Sequence, residues 1–268
     1  MQNIRPPAVA GMFYPAEPNI LARDVRAMLA TAKPCEFSPK ALIVPHAGYI
    51  YSGPIAASAY TALKNVAVRI RRVVLLGPTH RVAVRGLALP GADIFATPLG
   101  TIQVDVEAAQ AIAQLPQVTV SPQAHALEHS LEVQLPFLQA LLPDFKLLPL
   151  AVGMATQEEV AEVLELLWGG EETLIVISSD LSHYLPYDVA KRVDTATVQS
   201  ILDLQQPIDH EQACGGTPIN GLLLAAIRHQ LAPHLLDLRN SGDTTGSRDD
   251  GVVGYAAFAF TEKHAHAK

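Results

Sequence analysis

The sequence has very little cysteine and no long apolar run, and both absences restrict what the protein can be. Its two cysteines, Cys35 and Cys214, cannot form a disulfide framework, and such sparse use is typical of the reducing cytosol. No uninterrupted apolar run approaches the roughly 20 residues that a membrane span requires, and prolines interrupt the opening stretch MQNIRPPAVAGMFYPAEP. We therefore expect a cytoplasmic protein without a membrane anchor.

The sequence also lacks a block of lysine and arginine. Acidic and basic residues are interspersed, and the formal net charge is −7 at pH 7. Such a chain has no basic patch for nucleic acid or for an anionic membrane, so we expect neither as a partner. Repeats, low-complexity segments and linkers are absent too, and 49% of the residues are hydrophobic. We expect one domain over residues 1–268 with a sizeable core.

Short apolar stretches alternate along the chain with longer amphipathic or alanine- and leucine-rich stretches. The predicted strands are ALIVP (41–45), RRVVLLG (71–77), RGLALP (85–90), KLLPLAV (146–152), TLIVIS (173–178) and GVVGYAAFAF (251–260). The predicted helices cover residues 54–64, 104–115, 127–142, 157–168, 186–205 and 218–230. This alternation predicts an α/β fold in which helices flank a central mixed, largely parallel β-sheet.

Prolines set two of the expected helix boundaries. Pro54 suits the first turn of a helix that Ser52 or Gly53 would cap. In the stretch LEHSLEVQLPFLQALL, leucines at helical spacing predict a helix that Pro136 kinks or restarts. The final EKHAHAK (262–268) alternates histidine with alanine, and we expect it to fray and to bind metal only as a minor role.

Three histidines each follow a predicted strand by a short turn. His46 follows ALIVP, His80 follows VVLLGPT, and His183 follows TLIVISSDLS. In open α/β sheets, ligands bind at the carboxyl ends of the strands. A single histidine in such a place is explained by a local hydrogen bond to loop backbone, whereas three together favour a shared site. Because neutral imidazole is a good ligand for iron, zinc and copper, the pattern predicts a metal site.

Cys214, in ACGGTPING, is the candidate for a further ligand. The sequence TPINGLLLAAI that follows reads as a capped helix, and a thiol near a helix N-terminus has a lowered pKa that favours the metal-binding thiolate. The alternative is that Cys214 is a small buried apolar side chain. Cys35, among prolines in KPCEFSP, has no evident partner, and we interpret it as structural or inert.

The stretch HALEH permits three interpretations. His125, Glu128 and His129 match the H-x-x-E-H pattern of zinc peptidases, in which two histidines share a helical face with a glutamate base. Alternatively, Glu128 is a first-turn acid that favours the helix N-terminus. In the third interpretation, Glu128 and His129 line the pocket behind the ligands, and Glu128 or Asp180 orients an imidazole.

Six stretches together resemble the Memo family. They are PHAGYIYSG, LLGPTH, EHSLEVQLPF, VISSDLSHY, CGGTPI and DDGVVGYAAFAF, in family order, and the likeness extends from RPPAVAGMFYP to the last predicted strand. The resemblance implies a fold similar to the class III extradiol dioxygenases, which hold Fe(II) with two histidines and a glutamate. For the bacterial and archaeal members, it also implies an association with AMMECR1-type and radical-SAM proteins.

Transferred residue by residue, the resemblance makes His46 and His80 the imidazole ligands and gives His183 the place of the acid/base histidine. Cys214 falls where the dioxygenases have their carboxylate. A thiolate there admits copper or zinc beside iron and is itself oxidisable, so ring cleavage does not follow from the family alone. Arg81 stands where some relatives have a second histidine and could attract an anionic substrate.

These observations favour a metal-dependent redox protein with a His46, His80 and Cys214 site, most readily for Fe2+, acting on an unknown small molecule or protein. In this hypothesis His183 moves a proton and Asp180 orients it, while nearby tyrosines shape the pocket, namely Tyr49, Tyr51 and Tyr184. The alternative is an adaptor that binds a phosphopeptide or another anion in the same pocket without catalysis. The zinc peptidase is a third hypothesis.

Overall fold

The computed structural model describes residues 2–262, so the metal binding expected for the histidine-containing tail lies outside the described residues. The strands of this part of the chain are β1 (Ile4–Arg5), β2 (Ala41–Val44), β3 (Arg72–Pro78), β4 (Leu87–Leu89), β5 (Ile94–Thr97), β6 (Gly100–Gln103), β7 (Val118–Val120), β8 (Lys146–Val152), β9 (Thr173–Ser178), β10 (Leu231–Asn240) and β11 (Gly254–Glu262).

The α-helices of the same residues are α1 (Pro18–Thr31), α2 (Tyr49–Tyr60), α3 (Val106–Ile112), α4 (Pro122–Ala126), α5 (His129–Glu132), α6 (Leu135–Leu141), α7 (Gln157–Leu167), α8 (Tyr187–Leu202), α9 (Gly216–Arg228) and α10 (Ser241–Thr245). A 3-10 turn, Thr61–Leu63, extends α2. No helix within residues 2–262 is both long enough and apolar enough to cross a membrane.

Eight strands form the central sheet in the order β10-β11-β2-β9-β3-β8-β4-β7. Its middle is parallel, since β2 pairs with β9, β9 with β3 and β3 with β8 in the same direction. The pairs β10/β11, β11/β2 and β4/β8 are antiparallel, which confirms the predicted mixed, largely parallel sheet. The carboxyl ends of β2, β9 and β3 therefore meet at one edge.

Each face of the sheet has its own apolar core, because successive side chains of a strand point to opposite faces. Leu42 and Val44 of β2 join the core beneath α1, α2 and α6, whereas Ala41 and Ile43 join the core beneath α3, α7, α8 and α9. The middle strands are buried on both sides, which explains their continuous apolar sequences. A small sheet, β1-β5-β6, packs on the first face.

The structure corrects the predicted start of the second helix. α2 begins at Tyr49 after Gly48, and Pro54 lies inside it, so neither Ser52 nor Gly53 is its cap. Pro54 lacks the N–H that would bond the carbonyl of Ile50, but Ile50 is 71% exposed near the helix start, which makes the loss small. The prediction for Pro136 is confirmed, because it lies in the first turn of α6, where the helix restarts after α5.

Two long elements were not predicted. α1 follows a proline-broken segment, and β10 contains Pro233 and has no regular alternation of apolar and polar residues. β10 is held by its long antiparallel pairing with β11 and lies at the edge of the sheet. Long-range pairing of this kind leaves no local signal in the sequence.

Asp105 links the start of α3 to β3. Its carboxylate caps the helix through the backbone N–H of Ala108, at 3.0 Å, and accepts a hydrogen bond from Arg72 Nε at 2.7 Å. Burial raises the pKa of Asp105, but the hydrogen bonds and the charge of Arg72 outweigh it and hold the pKa below its ordinary value. The charged carboxylate therefore stabilises the folded state.

We expect Asp105→Ala to lower the free energy of unfolding by about 1–2 kcal/mol at neutral pH, and Asp105→Asn by less, because asparagine still caps the helix. Since folding lowers the pKa of Asp105, its contribution is complete above the ordinary pKa and is lost as the pH falls through the folded value. Urea denaturation followed by circular dichroism, at neutral pH and at about pH 3, measures this. An equal loss at both pH values would contradict the assignment.

Candidate metal centre

Three imidazole rings meet at the carboxyl edge of the sheet. His46, His80 and His129 each offer one ligand nitrogen, and these nitrogens all lie within 4.8 Å of one another. Because nitrogen ligands bind transition metals at about 2.0–2.1 Å, small side-chain movements would bring all three onto one ion. The three histidines form a cluster that can hold a metal ion.

The three histidines come from different elements. His46 follows β2 and His80 follows β3, at the end of the strand in each case, as the sequence pattern predicts. His129 is the first residue of α5, and its ring centroid lies 4.5 Å from that of His80 and 5.4 Å from that of His46. The sequence pattern predicts His129 either as a residue lining the pocket or as a zinc ligand together with His125, whereas the structure places it beside His46 and His80.

Cys214 contacts His46 but, among the described residues, is not part of the group of three mutually close ligand atoms. Its Sγ atom is 3.3 Å from His46 Nε2. Two ligands of one tetrahedral metal ion, a sulfur and an imidazole nitrogen, are about 3.5 Å apart, so this spacing fits a shared ion. The donor set is therefore chemically suited to iron, zinc or copper.

The expectation of a lowered thiol pKa at Cys214 is wrong for the structure as it stands. Cys214 precedes Gly215, the N-cap of α9, and so lies outside the first turn. Burial, with the nearby charge of Asp180 as the second cause, raises the pKa of the thiol to about 12. Deprotonation of Cys214 near neutral pH thus requires a metal cation, which favours the thiolate.

Two imidazoles of the cluster, those of His46 and His129, are held neutral by their surroundings. Burial lowers the pKa of His46 well below its ordinary value, and repulsion from His129, His80 and His183 adds to this. Burial and the neighbouring His80 also lower the pKa of His129, to about 4. Neutral imidazole is the form that binds metal, so these rings need no deprotonation at pH 7.

Glu128 orients His80 with both oxygens of its carboxylate. Oε1 accepts a hydrogen bond from His80 Nδ1 at 2.8 Å, and Oε2 accepts one from the backbone N–H of His80 at 2.6 Å. Burial raises the pKa of Glu128, but the hydrogen bonds from His80 and Ser130 outweigh it, and the pKa falls to about 2. The carboxylate fixes the proton of His80 on Nδ1 and leaves Nε2 free for a ligand bond.

The segment 128–134 carries an unusual number of buried polar side chains. Glu128, Ser130, Glu132 and Gln134 are each at most 2% exposed. Glu132 forms an ion pair with Arg5 and accepts a hydrogen bond from the hydroxyl of Tyr14 at 2.5 Å. Because every one of these groups is paired, the segment fixes α5, and with it His129, against the ends of the strands.

Asp180 supports His46 and does not contact His183 by a hydrogen bond within residues 2–262. Its Oδ1 atom accepts a hydrogen bond from the backbone N–H of His46 at 2.7 Å. Burial raises the pKa of Asp180 to about 7. Asp180 thus holds the backbone of a candidate ligand. The prediction that Asp180 orients the imidazole of His183 is not met.

The remaining predicted pocket residues lie at different depths. His183, Tyr184 and Arg81 are exposed, and Tyr184 has a left-handed backbone with φ of 55° that packs against Gly251. Tyr51 is 39% exposed. Tyr49 is buried, and its hydroxyl donates a hydrogen bond to the Val133 carbonyl at 2.8 Å, so it belongs to the core.

The geometry contradicts the zinc peptidase interpretation. His125 ends up on α4 and His129 on α5, because the backbone leaves the helical conformation at Leu127 and Glu128. His125 is 1% exposed, and its Nε2 atom hydrogen-bonds the Ala88 carbonyl at 2.8 Å. The two histidines therefore do not share one helical face.

One sequence signal could have identified His129 as a member of the cluster. In EHSLEVQLPF, polar residues recur inside an otherwise apolar stretch next to a histidine. Polar side chains that a fold buries are usually paired, so such a stretch points to a buried network. The sequence does not show which strand ends this network contacts.

The fold and the histidine cluster define an α/β protein with a candidate metal centre. Comparison with known proteins identifies its family. Residues 5–259 match the model of the Memo-like protein family. A MEMO1 family protein of Methanosarcina barkeri is 36% identical over 271 residues, covering 95% of this chain and 98% of the relative. One of Aquifex aeolicus is 35% identical over 269 residues, covering 96% and 99%. The chain belongs to the Memo-like family.

A solved structure shares the fold at much lower sequence identity. An uncharacterized protein of Escherichia coli K12 superposes with a TM-score of 0.52 and 17% identity, over 81% of this chain and 98% of that chain. This likeness concerns the fold alone.

Glu128 offers a test of the geometry around His80. We expect Glu128→Ala to weaken Co2+ binding, used as a spectroscopic probe, by about tenfold to hundredfold, because His80 loses the group that sets its tautomer. Glu128→Gln keeps an oxygen acceptor and should lose less. Titration of the metal-free protein with Co2+ measures both. Unchanged affinity in Glu128→Ala would contradict the role given to Glu128.

Proposed function

We propose that this Memo-like protein is a metal-dependent redox enzyme that holds one iron ion through His46, His80, His129 and Cys214. The convergence of three imidazoles at the carboxyl edge of a parallel sheet carries the proposal. The 3.3 Å separation of Cys214 Sγ from His46 Nε2 supports the thiol as the fourth donor. Copper and zinc are the competing metals, since both accept the same donors.

Bound iron would supply redox chemistry towards dioxygen or towards an oxygen atom of the substrate. In the proposal, the residues around it bind and orient. Glu128 and Asp180 hold His80 and His46 in place through the hydrogen bonds described above. His80 and His129 have side chains 29% and 17% exposed, which leaves the ion reachable from solvent on their side.

The proposal assigns two roles at the mouth of the site. His183, exposed beside the cluster, would carry a proton to or from the substrate, as its family position implies. Arg81, exposed next to His80, would attract an anionic substrate. The substrate is a small molecule or a protein, and AMMECR1-type and radical-SAM proteins are the proposed functional associates in the cytoplasm.

Metal analysis of untagged protein purified without oxygen tests the proposal. We expect about one iron per chain in the parent protein. His46→Ala and His80→Ala should lose the metal, because each removes a ligand from a small set, and Cys214→Ala and His129→Ala should bind it at least about tenfold more weakly. Inductively coupled plasma mass spectrometry and competition with a chelator give the occupancy and the affinity.

Two further variants make the test specific. His234→Ala removes a histidine of β10 and serves as the matched control, with metal retained. His125→Ala separates the proposal from the peptidase hypothesis, since only the latter predicts that it loses metal. Failure to find near-stoichiometric metal in the parent, or its retention in both His46→Ala and His80→Ala, would overturn the proposal.

Oxygen uptake with catechol-type compounds tests the redox part. We expect the iron-loaded protein to consume oxygen, and His183→Ala to lower the rate by about a hundredfold or more with its metal content unchanged, since general acid/base catalysis contributes about that much. An oxygen electrode measures the rate. No uptake by the loaded parent with any such compound would contradict the dioxygenase-type activity and leave the metal site standing.

The binding of an anion without catalysis is favoured by one observation, the exposed Arg81 whose charge lies near His129. This second candidate predicts that the chelator-treated protein binds a phosphotyrosine peptide and that Arg81→Ala weakens the binding. Isothermal titration calorimetry distinguishes it from the metal-dependent function, which predicts no such binding without metal.

A further inference from the structure

His46 has a different hydrogen-bond partner from His80, and that partner belongs to a buried chain of side chains. The Nδ1 atom of His46 lies 2.9 Å from the hydroxyl oxygen of Ser178, the last residue of β9. We infer that Ser178 is a positioning residue that fixes His46 in the tautomer with its proton on Nδ1 and its lone pair on Nε2. The role of this tautomer in metal binding rests on the metal site proposed above.

The direction of each hydrogen bond follows from counting hydrogens. A serine hydroxyl has one hydrogen to donate and two lone pairs that accept. Ser178 donates its hydrogen to the carbonyl of Ser130, at 2.6 Å, and accepts from Gln134 Nε2, at 2.9 Å. The remaining capacity of the hydroxyl towards His46 is as an acceptor. His46 must therefore donate from Nδ1, and Nε2 carries the lone pair.

The orientation of Gln134 is fixed in the same way. Its Nε2 group donates to the carbonyl of Pro45 as well as to Ser178, at 2.9 Å each. Its Oε1 atom accepts the hydroxyl hydrogen of Tyr60 at 2.8 Å. A flipped amide would turn an oxygen towards the Pro45 carbonyl and an amine towards the hydroxyl of Tyr60. The observed orientation is the one in which all partners match.

The network is fully enclosed. Tyr60, Gln134, Ser178 and Ser130 are each 0% exposed, and His46 is 1% exposed. In such surroundings a buried polar group without a partner is costly. The alternative tautomer would leave two acceptors facing each other and is therefore strongly disfavoured. A chain of three side chains, Tyr60, Gln134 and Ser178, thus runs from α2 through the N-cap of α6 and the end of β9 to the imidazole.

The consequence is an asymmetric pair of ligands. His80 donates its Nδ1 hydrogen to a carboxylate, whereas His46 donates to a neutral hydroxyl. Both rings are prepared to bind through Nε2, and His46 Nε2 already faces Cys214 Sγ at 3.3 Å. The two ligands therefore differ in the charge of their hydrogen-bond partner, and His46 is prepared by its tautomer alone.

Nitrogen NMR of the uniformly 15N-labelled, chelator-treated protein tests the tautomer directly. The two-bond correlations of the imidazole protons should show protonated Nδ1 and bare Nε2 for His46. In Ser178→Ala we expect the alternative tautomer to appear, together with Co2+ affinity lowered by about tenfold to hundredfold. Tyr60→Phe, which only frees the amide of Gln134, should change both in the same direction and by less.

Ser52→Ala is the matched control, because Ser52 is a serine of α2 that is 1% exposed and whose hydroxyl donates to the Ala47 carbonyl at 2.9 Å without touching His46. It should leave the tautomer and the Co2+ affinity unchanged. Bare Nδ1 in the parent protein, or an unchanged tautomer in folded Ser178→Ala, would overturn the inference. If Ser178→Ala does not fold, the parent spectrum and Tyr60→Phe decide. If the parent protein shows the expected tautomer but binds no metal, the proposed function is overturned and the inference about the tautomer stands.

Discussion

The buried polar segment from Glu128 to Gln134 is the constraint on which the candidate site depends. Its side chains reach three separate parts of the fold, namely the N-terminal segment through Arg5, the turn after β3 through His80, and the end of β9 through Ser178. Apolar packing alone holds a helix at a face of the sheet, but it does not fix a rotation or a register to a fraction of an ångström. Directed hydrogen bonds in a low-dielectric interior do so.

Such a network is costly to maintain unless it is complete. Removing one partner would leave a charged or polar group buried without compensation, which is far more destabilising than exchanging two apolar side chains. In this segment the ion pair of Arg5 and Glu132 is enclosed on all sides, with exposures of 5% and 0%. The same groups that stabilise the fold hold His129 and His80 in position, so stability and site geometry are coupled.

The crowded imidazoles, in contrast to the paired polar groups of the segment 128–134, disfavour folding when no cation is bound. Burial, with repulsion from the neighbouring rings as the next cause, lowers the pKa values of His46 and His129, so these two rings resist protonation. The ligand nitrogens of the three rings lie within 4.8 Å of one another. A bound cation would interact favourably with these nitrogens. The free energy needed to form the site is therefore lower with a metal ion than without one.

The sheet class and the strand-end histidines can be predicted from the sequence because both rest on local patterns. Continuous apolar runs identified β2, β3, β8 and β9, and a histidine directly after a run lies at the strand end in any fold of this class. The start of α2 was misplaced because tertiary packing overrode the usual position of Pro54. The strand β10 was missed because its conformation comes from pairing with β11.

The sequence by itself determined the fold class, the family and the positions of His46, His80 and Cys214 along the chain. Only the tertiary structure decided that His129 joins the cluster, that His125 does not, and that the thiol of Cys214 is held protonated by burial. The physical reason is the same in each case. Ligand distances, burial and tautomers depend on which elements pack together across long separations in the chain, and no local pattern of residues encodes that packing.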